Sequence, residues 1–320
     1  MATPGNFSEL QHLLQLSYSE NPEDQQKAAV DLSKLVEGAV FPAVSFGPIS
    51  HALCRLVPST NRTVASYSAR ALKLLVLDDA LRSQAVVAGV PAVVCGAIRQ
   101  WEDEVLCLRE LLGALQTLTW DKACVKGVLQ TDIVGHVIDF AQAPDQEVSV
   151  LSTAILANIF SYCDTLLLTD SVLLEVLAGS IPTLMEPLRP SSFDGKGQGP
   201  QKFYAIAALA NASAHPRLAD AIKGNGGLQL ARDMERQSLA NLNILGSRVV
   251  DCAQAMLYRL SDRREGEATA ASKKFKFKWG VKPVMELSLA AFKQHSWALV
   301  VCFALWLLVV LYSFAPLMFR

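Results

Sequence analysis

The five histidines, His12, His51, His136, His215 and His295, stand far apart, and none has a partner at the spacing that catalysis or metal binding requires. A zinc-protease helix sets two His one turn apart around a Glu, a nucleophile elbow sets Ser between two Gly, and a phosphate-binding loop ends in Gly-Lys-Ser/Thr. None of these patterns occurs in the chain. The glycines of GNGGLQL, Gly224–Leu230, fall between two helical patterns, which reads as a turn rather than a phosphate cradle. The acidic pair Asp78-Asp79 follows one helical pattern and precedes another, the place of a helix N-cap. The seven cysteines, at 54, 95, 107, 124, 163, 252 and 302, include no C-x-x-C pair and read as reduced, mostly buried thiols. These residues predict a chain that is not an enzyme and carries no cofactor and no metal.

A second chemistry lies near the C-terminus. In KKFKFKWGVK the cations Lys273, Lys274, Lys276 and Lys278 alternate with Phe275, Phe277 and Trp279. Interleaved cations and aromatics suit nucleic acid or a membrane surface. The apolar run that begins soon afterwards, at Trp297, favours the membrane, so no nucleic-acid partner is expected. From Trp297 to Phe319 the chain carries no charged side chain. At about 1.5 Å per helical residue this run is long enough to cross a hydrocarbon core roughly 30 Å thick. Eight Lys/Arg and three Glu between Arg263 and Lys293 give that flank a net charge of +5, against Arg320 alone beyond the run. Basic residues stay on the cytosolic side. The N-terminal MATPGNFSELQHLLQ lacks a basic region before an apolar run, so no signal peptide is expected. The resulting expectation is a tail-anchored membrane protein with a cytosolic body. The apolarity of the run favours the endoplasmic reticulum, while Lys293 and Arg320 flanking it keep the mitochondrial outer membrane and the peroxisome as alternatives.

The body has its own rhythm. Apolar residues recur at intervals of three and four, the period of a helix face, and strand-type alternation is scarce. One marker returns along the chain: two apolar residues three apart, preceded by small residues. It appears in AVDLSKL (Leu32, Leu35), SARALKLL (Leu72, Leu75), LLGALQTL (Leu115, Leu118), STAILANI (Leu156, Ile159), AIAALANA (Leu209, Ala212) and AQAMLYRL (Leu257, Leu260). Successive first residues are 40, 43, 41, 53 and 48 apart. A second marker follows the first at one constant offset: Gly89 after Leu72, Asp132 after Leu115 and Gly226 after Leu209. Gly179 follows Leu156 at a longer offset, which implies an insertion, placed in SYCDTLLLTDSV. Gly there closes one helix and Pro opens the next. The small residues Ala69, Ala71, Ala114, Ala154, Ala207 and Ala208 let neighbouring helices approach closely.

Periods near 40 with these markers make the stretches Thr63–Ile98 and Gln146–Leu188 resemble armadillo repeats. The resemblance covers roughly residues 21–262. It implies an all-α chain, a right-handed armadillo-type helical-repeat solenoid, with one C-terminal transmembrane helix added. The expected order is an N-terminal capping helix at 1–20, repeats at 21–262 with a loop insertion near 189–201, a basic linker and juxtamembrane segment at 263–296, and the transmembrane tail at 297–319. Armadillo proteins are mostly binding scaffolds, whose third helices line a concave groove in which a ladder of Asn grips a partner's backbone. The ladder position lies between the two apolar residues of the marker, and here it holds Lys34, Leu74, Thr117, Asn158, Asn211 and Arg259. The resemblance thus implies a partner-binding groove around Asn158 and Asn211, with Lys34 and Arg259 at its ends. Nuclear-import adaptors commonly carry Trp four residues before the Asn, and this chain has Ala154 and Ala207 there, which argues against nuclear-signal peptides. The functional expectation is a membrane-anchored scaffold or adaptor that recruits a protein partner to the cytosolic face of an organelle. An organelle-bound co-chaperone or nucleotide-exchange factor of armadillo type is the alternative.

Overall fold

The computed structural model describes residues 4–38, 46–166, 171–189, 199–239 and 244–261, and all of the secondary structure in them is helical. The tail at 297–319, the basic-aromatic stretch Lys273–Trp279 and the middle of the expected loop lie outside the described residues. Six long helices carry the marker: α2 (Pro22–Gly38), α4 (Arg62–Leu75), α7 (Val105–Leu118), α10 (Gln146–Phe160), α14 (Gly199–Ala212) and α17 (Ile244–Leu260). Each packs along the next, α2 on α4, α4 on α7, α7 on α10, α10 on α14 and α14 on α17. They are the third helices of successive repeats.

Shorter helices back this row. First helices α5 (Asp79–Val87), α8 (Lys122–Leu129), α12 (Ser171–Gly179) and α15 (Pro216–Gly224) alternate with second helices α6 (Val90–Gln100), α9 (Ile133–Phe140), α13 (Ile181–Met185) and α16 (Gly227–Leu239). Each second helix lies against the third helix of its own repeat. At the N-terminal end α1 (Pro4–Ser17) packs on α2 and α3 (Phe46–Leu56), and α3 occupies the place that a first and second helix hold elsewhere. Tyr18 fastens that end: its hydroxyl lies 2.6 Å from Nδ1 of His51, and the Arg55 guanidinium sits 5.5 Å from its ring centre.

The core follows from the marker. Leu32, Leu72, Leu115, Leu156 and Leu209 are fully buried, as are the small residues before them apart from the half-buried Ala207. In α17 the pattern slips by one: Leu257 is half-buried and Met256 takes the buried place beside Leu260. Burying one such side chain contributes roughly 1.5–3 kcal/mol. The N-termini are capped by the short polar residues that precede them. Asn61, Asp78 and Asp121 each accept two backbone N–H bonds of the following turn, and Asp145 accepts that of Val148.

Between first and second helices the chain turns on glycine. Gly89 and Gly226 have φ of 71° and 85°, the left-handed region that costs a side chain about 1–2 kcal/mol. At Gly89 the axes of α5 and α6 bend by 80°. Gly227, beside the second of these, is closed by space instead: an added Cβ would lie 2.8 Å from the carbonyl oxygen of Ile222.

Two expectations shift. The loop near 189–201 is shorter at its far end, because α14 begins at Gly199 with Pro200 in its first turn, where a missing N–H costs nothing. The insertion after Leu156 includes a short helix, α11 (Cys163–Leu166). Among the described residues, Ser171–Leu188 is apolar and long enough by composition to cross a membrane. It is broken at Ser180 and ends in a 3-10 turn, and its parts pack on α14 and α15 as repeat elements.

The glycines separate by cause. Gly89→Ala and Gly226→Ala are each expected to cost about 1 kcal/mol through backbone strain, and Gly227→Ala more, because backbone stands in the way. Gly113→Ala is expected to be neutral or stabilising: its Cβ would meet only the flexible Lys73 side chain, and Ala gains about 1 kcal/mol over Gly within a helix. Urea unfolding midpoints of the four variants test this ranking, and a Gly113→Ala loss as large as that of Gly227→Ala would contradict it.

Candidate functional site: the face of the third helices

Each third helix turns one stripe away from the first and second helices. On α2 it runs through Gln26, Lys27, Val30, Lys34 and Glu37, on α4 through Arg62, Ser66, Tyr67, Arg70, Lys73 and Leu74, and on α7 through Val105, Leu106, Arg109 and Glu110. An open cleft of about 610 Å³ lies at the N-terminal end of this face, lined by Glu23, Gln26, Lys27, Val30, Asp31 and Asn61.

The stripe closes further along. Every residue from Leu111 to Thr119 in α7, and from Ser152 to Phe160 in α10, is buried. Asn158 is only 4% exposed. Its Nδ2 donates to the carbonyl of Gln116 at 3.2 Å and to Oγ1 of Thr119 at 2.9 Å, both at the end of α7. Asn211, half-buried, donates from Nδ2 to the carbonyl of Ala157 at 3.3 Å, at the end of α10. Arg259 does the same from Nη1 to Ala210, at the end of α14. The three bonds share one rule: the ladder side chain reaches the carbonyl of the residue just before the ladder position of the preceding third helix. Those carbonyls belong to the last turn and take the ladder side chain as a second donor, since Gln116 also accepts from Oγ1 of Thr119, Ala157 from the N–H of Ser161 and Ala210 from Oγ of Ser213, and the negative helix end also suits the charge of Arg259.

The four residues singled out in the sequence therefore do not form one exposed site. Asn158 and Asn211 commit donors to the preceding repeat, and Arg259 joins them. Lys34 stands apart, 68% exposed, with Nζ 3.0 Å from Asp31. The other two ladder residues make no such bond. Leu74 is apolar, and Thr117 turns its Oγ1 to the carbonyl of Gly113 in its own helix.

Ion pairs cross from one third helix to the next over the open part of the face. Arg70 meets Glu37 at 3.1 Å, Arg62 meets Glu104 at 3.3 Å and Lys73 meets Glu110 at 2.8 Å. Arg109 grips Asp145, with Nε 3.1 Å from Oδ1 and Nη2 on the other oxygen, and reaches Glu147 at 3.3 Å. The Arg109 bond, followed by the N–H of Val148, holds the Asp145 carboxyl below its usual range. These partners escape a reading that looks for motifs. Their signal is a pair of opposite charges set about one repeat apart in the chain.

On another edge, Arg82 of α5 is almost wholly buried. It donates to the carbonyls of Val76 and Leu77 at 2.8 and 3.4 Å, pairs with Asp79, and lies 5.3 Å over the ring of Trp120. Tyr162 in turn donates from its hydroxyl to the carbonyl of Trp120 at 2.8 Å, so one line of contacts links three repeats.

Among the described residues no group of three or more His, Cys, Asp or Glu is placed to hold a metal. Burial pushes the thiols of Cys54 and Cys95 up to about 11 and those of Cys124 and Cys252 up to about 12, far from the thiolate that a nucleophile needs. A second cleft, about 540 Å³ beside Gln142, Ser149, Thr183, Glu186 and Gln201, has one ionisable side chain in its lining, and Glu186 pairs with Arg189 at 3.4 Å.

The arrangement is that of armadillo-repeat structures. A designed armadillo repeat protein matches with a TM-score of 0.62 over 78% of this chain and 99% of its own, at 16% identity. A computationally designed armadillo protein for modular peptide recognition matches equally well at 17% identity, again over 78% of this chain and 99% of its own. An engineered protein reaches 0.62 at 23% identity over 79% and 96%. A further designed armadillo protein, solved with the peptide (KR)4, gives 0.60 at 15% identity, over 79% of this chain and 99% of that one. No protein-family model and no curated protein sequence matches. The fold is thus an armadillo-like repeat solenoid.

Two outcomes test these assignments. Asn158→Ala removes the two buried bonds from α10 to Gln116 and Thr119 and is expected to destabilise the fold by about 1–3 kcal/mol, and Asn211→Ala by less, in urea unfolding. Unchanged midpoints would show that the two amides are not structural. His215, 7% exposed with Nδ1 unpartnered, has its pKa lowered by burial and then by Arg217. The unfolded chain therefore takes up this proton first, and stability falls as pH drops through about 6.5. His215→Gln is expected to lose less stability than the parent between pH 7.5 and 5.5, and an equal loss in both would refute the role of His215.

Proposed function

We propose that this chain is a membrane-anchored armadillo-type scaffold that recruits a protein partner to the cytosolic face of an organelle. The observation that carries the scaffold part is the run of exposed and half-buried residues on α2, α4 and the first half of α7, three third helices packed in succession. The designed neighbours with the same fold include one solved with a peptide, which supports a protein segment as the occupant. Thiols that burial keeps from the thiolate form support a binding role rather than a catalytic one. The proposed docking surface is on α2, α4 and α7 rather than around Asn158 and Asn211, because Asn158 is buried and both amides already give a bond to the preceding third helix.

The anchoring part rests on the sequence. The uncharged run from Trp297 to Phe319 supplies the span, and Lys273–Trp279 supply cations and aromatics for the lipid surface. The endoplasmic reticulum is the proposed membrane, with the mitochondrial outer membrane and the peroxisome as the other destinations. Anchoring raises the local concentration of whatever the solenoid binds.

The test compares the full chain with one ending at Asp262. The full chain is expected to remain with membranes after alkaline carbonate extraction, while the shortened one is soluble, keeps its helical circular dichroism and captures the same non-lipid partners. A shortened chain that still sediments with membranes would place targeting in the solenoid and overturn the division of roles.

A further inference from the structure

Seven large apolar side chains are exposed among the described residues, and three of them lie on adjacent third helices: Tyr67 on α4, and Val105 and Leu106 on α7, at 36%, 40% and 55%. The ion pairs fix how these helices are aligned. Arg62 stands opposite Glu104 at one level and Lys73 opposite Glu110 at another. Tyr67 falls between the two levels on α4, and Leu106 falls between them on α7. The helices thus bring an aromatic and an aliphatic side chain to the same part of the open face, with an ion pair to either side.

On the α4–α7 part of this face the described cations all stand in ion pairs. Lys34 pairs with Asp31, Arg70 with Glu37, Lys73 with Glu110, and Arg109 with Asp145 and Glu147. A strongly basic or acidic segment must displace a partner for each new contact, and exposed pairs return little in exchange. An apolar side chain displaces nothing but water. Apolar anchors within a polar rim are also where binding energy concentrates in interfaces.

We propose that the α4–α7 face docks a charge-poor segment of a partner protein through an aliphatic or aromatic anchor seated on Tyr67 and Leu106. This rests on the scaffold reading above and adds the position and the chemistry of the occupant. It differs from a basic peptide held by a row of carboxylates, since the carboxylates here are engaged by neighbouring cations.

The experiment selects phage-displayed random dodecapeptides on the full-length chain held in lipid nanodiscs, and measures affinities of the enriched sequences by fluorescence anisotropy at 50 and 500 mM salt. The expected peptides have few charges and share an aliphatic or aromatic residue. Their affinity is expected to change less than threefold with salt, to fall at least tenfold in the Tyr67→Ser, Leu106→Ser double variant, and to persist in Tyr67→Phe and in Val87→Ser, an exposed apolar site on α5. Unchanged melting of the double variant confirms that the loss is not one of folding; if that variant melts early, Leu106→Ser alone must lose binding at full stability. Enrichment of basic or acidic peptides with steep salt dependence overturns the proposal, as does undiminished binding by the double variant, and in both cases the scaffold reading stands. If no peptide enriches on the full chain, the proposal and a peptide-docking scaffold fail together.

Discussion

Each carbonyl in the last turn of a third helix has a lone pair left for a donor from outside, and from α10 onward the next repeat supplies one. Asn158 reaches Gln116, Asn211 reaches Ala157 and Arg259 reaches Ala210, each time one residue short of the ladder position. The bond does two things at once. It adds a second donor to a carbonyl at a helix end, and it fixes how far one third helix slides along the next. Where it is made, from α7 to α17, the helices are locked end to end. Where Lys34, Leu74 and Thr117 stand at the ladder position no such bond forms, and the face of α2 and α4 remains available to something else.

Ion pairs take over in that open part, but they act differently. Arg70–Glu37, Arg62–Glu104 and Lys73–Glu110 are partly exposed, so each adds little to stability. Their larger effect is on recognition. On the proposed reading they match the charge of α4 and α7 beside the exposed apolar side chains Tyr67, Val105 and Leu106. Gly113 belongs to the same arrangement. Lacking a Cβ, it leaves room for the Lys73 side chain to lie across α7 on its way to Glu110.

The repeat was legible because its causes are local and periodic. A leucine fully buried in each of five third helices, and glycines at 89 and 226 held at positive φ, leave the same trace at the same offset in a linear string. The role of the ladder amides was not. An Asn between two apolar residues reads the same whether it faces a partner or the end of the previous helix. What decides between them is the sliding of one helix along another, and that is set by packing across a whole repeat. The ion pairs were present in the sequence as opposite charges a repeat apart, but sequence separations of 33, 36, 37 and 42 are too unequal to show as a motif. The slip at α17, where Met256 replaces Leu257 in the core, is likewise invisible to a rule that counts apolar residues in threes.

A face whose charges are internally matched has a consequence for how such a scaffold would work. It lacks the long-range field that speeds association of oppositely charged partners, so encounter is governed by diffusion and local concentration. Its contact with a partner rests on a small apolar area, which favours modest affinity and rapid exchange. On the proposed reading, confinement to a membrane compensates for both. A partner already on the same membrane is presented at an effective concentration far above its value in solution, and a weak, charge-poor contact then suffices to hold it. The same contact in free solution would be mostly empty, so recruitment would depend on the partner reaching the right membrane rather than on the strength of the groove alone.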